Sequence, residues 1–133
     1  IPTNSSELEI SESIFESICF QKYGYMISWP RGTSDYDCIV DVNHKLLKVQ
    51  VKSSKKGDGN VNICKGTNSI GTKGKYPYPL DSIDFFAVHD VINDAWYMIP
   101  REFTGDVLNL RLSLKRRGKY SKFRDNWSFA EEL

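Results

Sequence analysis

The stretch Tyr36-Asp37-Cys38-Ile39-Val40-Asp41-Val42-Asn43-His44-Lys45-Leu46-Leu47-Lys48-Val49-Gln50-Val51-Lys52-Ser53 decides the reading of this chain. Its first half alternates and is rich in branched residues, which predicts a strand over 36–42. Asn43-His44 predicts a two-residue turn, and Lys45–Ser53 a second strand. Alternation places Asp37, Ile39 and Asp41 on one face of the first strand. On the second, Gln50 and Lys52 share a face, and Leu47, Val49 and Val51 take the other. Pairing through the turn sets position 37 opposite position 50. Two oxygen ligands and an ammonium then converge at one sheet edge. That grouping suits phosphodiester hydrolysis. Mg²⁺ takes oxygen ligands and acidifies a bound water, and a nearby lysine stabilises the developing charge. The same residues also fit a solvated rim on an edge strand, and spacing alone does not separate the two readings.

Outward from the hairpin, residues 4–23 read as a helix. Asn4 or Ser5 caps it, Glu7 and Glu9 sit in its first turn, and Gly24 ends it. Its stripe is Leu8, Ile14, Phe15, Ile18 and Cys19. A short strand is expected at Tyr25–Trp29, closed by Pro30-Arg31-Gly32. Residues 54–79, rich in Gly and Lys, read mainly as a long loop with a brief strand at Val61–Cys64. Strands follow at Ile83–His89, Ala95–Ile99 and Val107–Ser113, with Leu108, Leu110 and Leu112 on one face of the last. Residues 120–132 read as a helix. This order implies an α/β (α+β) fold with one mixed sheet and helices against it.

The chain has 133 residues and a formal net charge of +1, a length that fits one domain. The average conceals blocks: −5 over 1–44, +7 over 45–79, −5 over 80–110, +7 over 111–124 and −3 at the end. The two basic blocks point to a polyanionic partner and against a protein-interaction module. Three cysteines (Cys19, Cys38, Cys64) at wide spacing fit neither a disulfide framework nor a zinc site, and suggest reduced thiols in a cytoplasm. His44 and His89 have no second ligand at metal spacing. No stretch is apolar enough to span a bilayer, and no signal peptide is seen.

With Asp37 opening one strand and Gln50-Val51-Lys52 on the next, the sequence resembles the PD-(D/E)xK nuclease superfamily, of restriction-endonuclease fold. The wider pattern is similar to its branch of intron-encoded homing endonucleases of bacteria and cyanobacteria. It runs through a helix bearing Glu, a Gly-Tyr strand, Pro-Arg-Gly, the hairpin, then DFFAVHD, AWYMIP and a closing KYSKFRDNW. The resemblance spans nearly the whole chain. It implies a single nuclease domain over 1–133, with a basic loop at 54–79 and a basic C-terminal segment at 111–127. It implies Asp37 as metal ligand, Lys52 as catalytic lysine, the Val51 carbonyl as a further ligand, and Gln50 in place of the usual acid. A helix-borne glutamate would restore the missing charge: Glu12, with Glu16 as rival. Asp35 and Asp41 are rivals for Asp37. The cofactor implied is Mg²⁺, with Mn²⁺ or Ca²⁺ substituting for binding.

DNA contacts are expected from Arg31, Lys55, Lys56, Asn60, Asn62, Lys65, Lys73 and Lys75, and from Arg116, Arg117 and Lys119 in the second block. There Arg111, Lys115, Lys122 and Arg124 stand among Tyr120, Phe123 and Trp127. Cutting both strands with one site per subunit requires a homodimer or a dimer of dimers. The function expected is site-specific, Mg²⁺-dependent cleavage of double-stranded DNA in the bacterial cytosol. The alternatives are a structure-specific Holliday-junction or repair nuclease of the same fold, and a catalytically silent DNA-binding module.

Overall fold

The structure, a computed structural model, describes residues 4–54, 59–66, 74–113 and 118–131, with the side chains of residues 4–9 left aside. Helix α1 runs Asn4–Tyr23. The strands are β1 (Met26–Ser28), β2 (Cys38–Val42), β3 (Lys45–Ser53), β4 (Asn60–Asn62), β5 (Cys64–Gly66), β6 (Lys75–Pro77), β7 (Phe85–Asp90), β8 (Ala95–Pro100) and β9 (Asn109–Arg111).

The predicted helix stop is present. Gly24 has φ 70°, its amide donates to the Phe20 carbonyl at 3.1 Å, and the Tyr25 amide reaches Cys19 at 2.8 Å. The Gly24 bond is the 5→1 bond of a left-handed helix end, which needs a left-handed residue at that point. The β2–β3 hairpin turns on Asn43 (φ 50°) and His44 (φ 68°), both left-handed. That geometry matches the twist of the strands it joins. It fixes the register: Cys38 faces Val49 and Val42 faces Lys45, as the turn position predicts.

Five strands form the main sheet in the order β1-β2-β3-β7-β8. All neighbours are antiparallel except β3 and β7, which run parallel with Gln50 beside Phe86 and Lys52 beside Val88. The sheet separates two cores. One packs Phe15 and Cys19 of α1 on Cys38, Val40, Val49, Val51, Phe85 and Ala87, closed by Trp96, Trp127 and Phe129. The other covers Phe86, Val88, Tyr97 and Ile99 with Val61, Ile63, Tyr78, Leu110 and Leu112. Asp37, Gln50 and Lys52 belong by alternation to this second face, away from α1.

Three expectations are corrected. The long loop of 54–79 is, where described, largely strand: β4 pairs with β9, and β5 pairs with β6 in a narrow ribbon. The brief strand at Val61–Cys64 is two strands that meet different partners. The ribbon approaches so closely that a side chain at Gly66 (φ 106°) would overlap the Gly74 carbonyl. The strand expected over Val107–Ser113 is shortened to β9, although Leu110 and Leu112 are buried as the alternation required. The helix expected over 120–132 is replaced by two 3-10 turns, Ser121–Phe123 and Trp127–Ala130. Between them Arg124 bridges to Tyr97, and Asp125 (φ 51°) accepts the Trp96 amide at 3.0 Å on its carboxylate. Pairing with β8 and burial of Trp127 outweigh helix propensity there.

Candidate active site

Asp37 stands just before β2 and is tied across to β3. Its amide donates to the Val49 carbonyl at 2.9 Å, and its Oδ2 accepts the Val51 amide at 2.8 Å. These bonds straddle Gln50. Burial raises the Asp37 carboxyl above its ordinary value of 3.8, opposed by the Val51 hydrogen bond and the Lys52 charge. Lys52 is half-buried, and burial lowers its ammonium below 10.5, opposed by the attraction of Asp37. Each charge therefore supports the other in a partly dehydrated place, where charges act strongly.

Gln50 is 8% exposed, and its Oε1 is fully buried with no hydrogen-bond partner among the described residues. An orphaned buried carbonyl oxygen is costly, roughly 1–3 kcal/mol, and calls for a reason. A hard cation held jointly with Asp37 supplies one, so the residues present fit a divalent metal. No cluster of three His, Cys, Asp or Glu side chains stands together among the described residues, so an all-acid cage is not what this site offers.

Glu12 and Glu16 are both half-buried on the flank of α1. Burial, then Asp37, Cys19, Glu12 and Glu16 in that order, push the Cys38 thiol upward. Both glutamates are thus within electrostatic range of Cys38, on the α1 side of β2. Glu16 also lines the groove between α1 and β1 with Phe20, Met26 and Ile27. Asp41, the first rival to Asp37, is exposed. Asp35, the second, forms an ion pair with Lys65.

The expected DNA contacts fall on several elements. Asn60 and Asn62 point outward from β4, opposite Arg111 and Asn109 of β9. Lys65 and Lys75 lie on the β5–β6 ribbon, Lys65 tied to Asp35. Arg31 is exposed. Lys119 lies over the rings of Phe103 and Tyr120, and Lys122 over Phe103 at 4.5 Å. Lys55, Lys56, Lys73, Lys115, Arg116 and Arg117 lie outside the described residues. Tyr120 and Trp127 are buried, so those aromatics of the basic tail serve packing.

Two residues at the site escaped sequence reading. Tyr78 places its ring 5.7 Å from Lys52 Nζ, and burial with the nearby Asp37 and Asp35 charges pushes its hydroxyl up to about 12. Arg101 is buried and holds the Tyr78 carbonyl. The doubled Tyr-Pro of Tyr76–Pro79 hinted at a fixed segment, while nothing around Arg101 set it apart from an ordinary basic residue.

The family model described as PD-(D/E)XK endonuclease matches residues 12–131. The chain belongs to that family. The fold is that of a restriction-endonuclease-like protein, and it is similar to the solved structure of the bacterial homing endonuclease I-Ssp6803I. That match has a TM-score of 0.77 at 22% identity, covering 98% of this chain and 95% of the other. A looser one, to MepB, has a TM-score of 0.41 at 13% identity and covers 81% and 83% of the two chains. No curated protein sequence matches this chain. In this PD-(D/E)XK endonuclease chain the Gln50 Oε1 is a buried acceptor without a partner among the described residues. Among the described residues no helix is long and apolar enough to cross a membrane.

Proposed function

We propose that this chain is a site-specific endonuclease that hydrolyses double-stranded DNA with Mg²⁺, and that it acts in homing. The observation that carries the reading is the buried Gln50 Oε1, without a hydrogen-bond partner among the described residues, on β3 across from Asp37 and two residues from a half-buried Lys52. Asp37, Gln50, the Val51 carbonyl and Glu12 would hold the metal. Glu12, or Glu16 in its place, would supply the charge that a neutral Gln50 does not. When bound, the ion polarises the scissile phosphate and acidifies a water.

The chain's own residues do the rest. Lys52 sets an ammonium against the developing negative charge, where partial burial strengthens its effect. Asp37, pinned by the Val51 amide, keeps its orientation without further ordering. The β5–β6 ribbon, the β4–β9 pair and the basic tail offer Lys65, Lys75, Asn60, Asn62, Arg111 and Lys119 to the duplex. A ribbon of two strands is of a size the major groove admits. The whole chain would act as one nuclease domain, and cutting both strands calls for a homodimer or a dimer of dimers on a two-fold target.

The test is cleavage with Mg²⁺ of a randomised linear library and of a four-way junction. Recovery of one preferred linear sequence is expected. Cleavage of the junction regardless of sequence would turn the reading to a resolvase. No cleavage of either, with binding intact, would turn it to a silent binding module.

A further inference from the structure

Lys52 projects from β3 on a flexible stem, and among the described residues no carboxylate lies within ion-pair distance of its ammonium. A free lysine loses roughly 2 kcal/mol of rotamer entropy when held in one pose, so something must confine it. The group that faces its ammonium is the ring of Tyr78, 5.7 Å from Nζ to the centroid. A cation over an aromatic face within about 6 Å is attracted to it.

That ring is itself held firmly. It packs edge-on against Phe86, with centroids 5.9 Å apart and planes at 68°. Phe86 lies beside Gln50 in the parallel β3–β7 ladder. Pro77 and Pro79 flank Tyr78 and restrict the backbone on both sides. Its carbonyl accepts Arg101 Nε at 2.8 Å and Nη2 at 2.5 Å. Arg101, 4% exposed, donates through Nη1 to Thr104 Oγ1 at 3.0 Å and to the Gly105 carbonyl at 2.9 Å. No carboxylate pairs with it among the described residues. Burying a guanidinium on carbonyls and one hydroxyl is costly, and the group it fixes with two hydrogen bonds is the Tyr78 carbonyl.

We propose that Tyr78 is a positioning residue for Lys52, its ring confining the ammonium over the site, and that Arg101 is the anchor that keeps the ring in place. The role given to Lys52 rests on the nuclease reading above; the contact itself does not. The ring, rather than the hydroxyl, is the working part.

The experiment uses the full chain and the variants Tyr78→Phe, Tyr78→Leu and Arg101→Lys, the Tyr78 variants also in a Lys52→Met background. Two quantities are read: the single-turnover cleavage rate beside the Kd for DNA, and the NMR shifts of the Lys52 Hε protons, which feel the ring current. Tyr78→Leu should slow cleavage about tenfold or more while leaving the Kd for DNA within about twofold, as a misplaced rather than missing group does. Tyr78→Phe should stay within about threefold of the parent rate, since it keeps the ring. In the Lys52→Met background the two Tyr78 variants should not differ, because the group they act through is gone. The Hε protons should lose their ring-current displacement in Tyr78→Leu and keep it in Tyr78→Phe. Arg101→Lys keeps a charge but cannot fork onto one carbonyl, so it should shift the same resonances, and it provides the test if Tyr78→Leu does not fold. Unchanged Hε shifts in Tyr78→Leu or Arg101→Lys, or a Tyr78→Phe as slow as Tyr78→Leu, would overturn the proposal. If the parent chain cuts no DNA, the nuclease reading fails and the Hε shifts still decide the positioning role.

Discussion

Replacing Gln50 by leucine separates the needs of the site from those of the fold. Gln50 is 8% exposed, and its Oε1 has no partner among the described residues. An unmet buried acceptor costs about 1–3 kcal/mol, and leucine of similar size removes that cost and adds apolar burial beside Phe86. Some of the gain is lost to imperfect packing, so a net stabilisation of about 1 kcal/mol is expected without metal. For a chain of this length that is a rise of roughly 3–5 °C in Tm. With metal the order should reverse. A ligand at a hundredfold its Kd stabilises the parent by about 2.7 kcal/mol, and the variant has lost one of its ligands. The assay is thermal unfolding followed by circular dichroism, in chelator and at saturating Mg²⁺, with cleavage measured in parallel. Gln50→Leu should melt higher in chelator, lower with Mg²⁺, and not cut. A variant less stable than the parent in chelator by about 1 kcal/mol or more would show that the buried Oε1 carries no such cost. Equal stabilisation of both proteins by Mg²⁺ would remove Gln50 from the metal.

Other outcomes follow from the same structure. DNA affinity should fall with salt at a log–log slope of about −5, as for roughly six phosphate contacts, and a flat response would contradict the basic face. Cys19 and Cys38 are buried and Cys64 is half-exposed, so one thiol should react with Ellman's reagent in the native protein and three after unfolding. Burial pushes the Cys19 thiol from 9.0 up to about 12, so the unfolded chain ionises first as pH rises. The stability this thiol contributes is complete below pH 9.0 and is lost above it at up to ~1.4 kcal/mol per pH unit, which alkaline denaturation titrations would detect. Arg101→Ala should destabilise by about 3 kcal/mol in urea unfolding, because it leaves the Tyr78 and Gly105 carbonyls without donors; a change near zero would show that the anchor is idle.

What could be read from the sequence was local. The β2–β3 hairpin needs only alternation and a turn that accepts two left-handed residues, and Asn43-His44 supplied both the turn and the register. The stop of α1 at Gly24 is equally local. The missed features depend on distant partners. Asp125 and Arg124 join β8 instead of continuing a helix, a choice made by Trp96 and Tyr97 about thirty residues earlier. The β5–β6 ribbon hides behind Pro77 and Pro79, which weaken a strand reading although Pro77 sits at a ribbon end where its missing N–H is tolerated. At the site, Asp37, Gln50 and Lys52 were visible because they share one hairpin. Tyr78 and Arg101 were not, because they come together only through the crossover between β3 and β7.

The role of Asp37 and Lys52 in cutting DNA is decided by cleavage and binding of a selected duplex by Asp37→Asn and Lys52→Met beside the parent chain, with Mg²⁺ present. Both variants should fold, bind DNA within a fewfold of the parent and cut at less than about a hundredth of its rate, since each removes a group acting at the reacting phosphate. Undiminished cleavage by either variant would contradict that role.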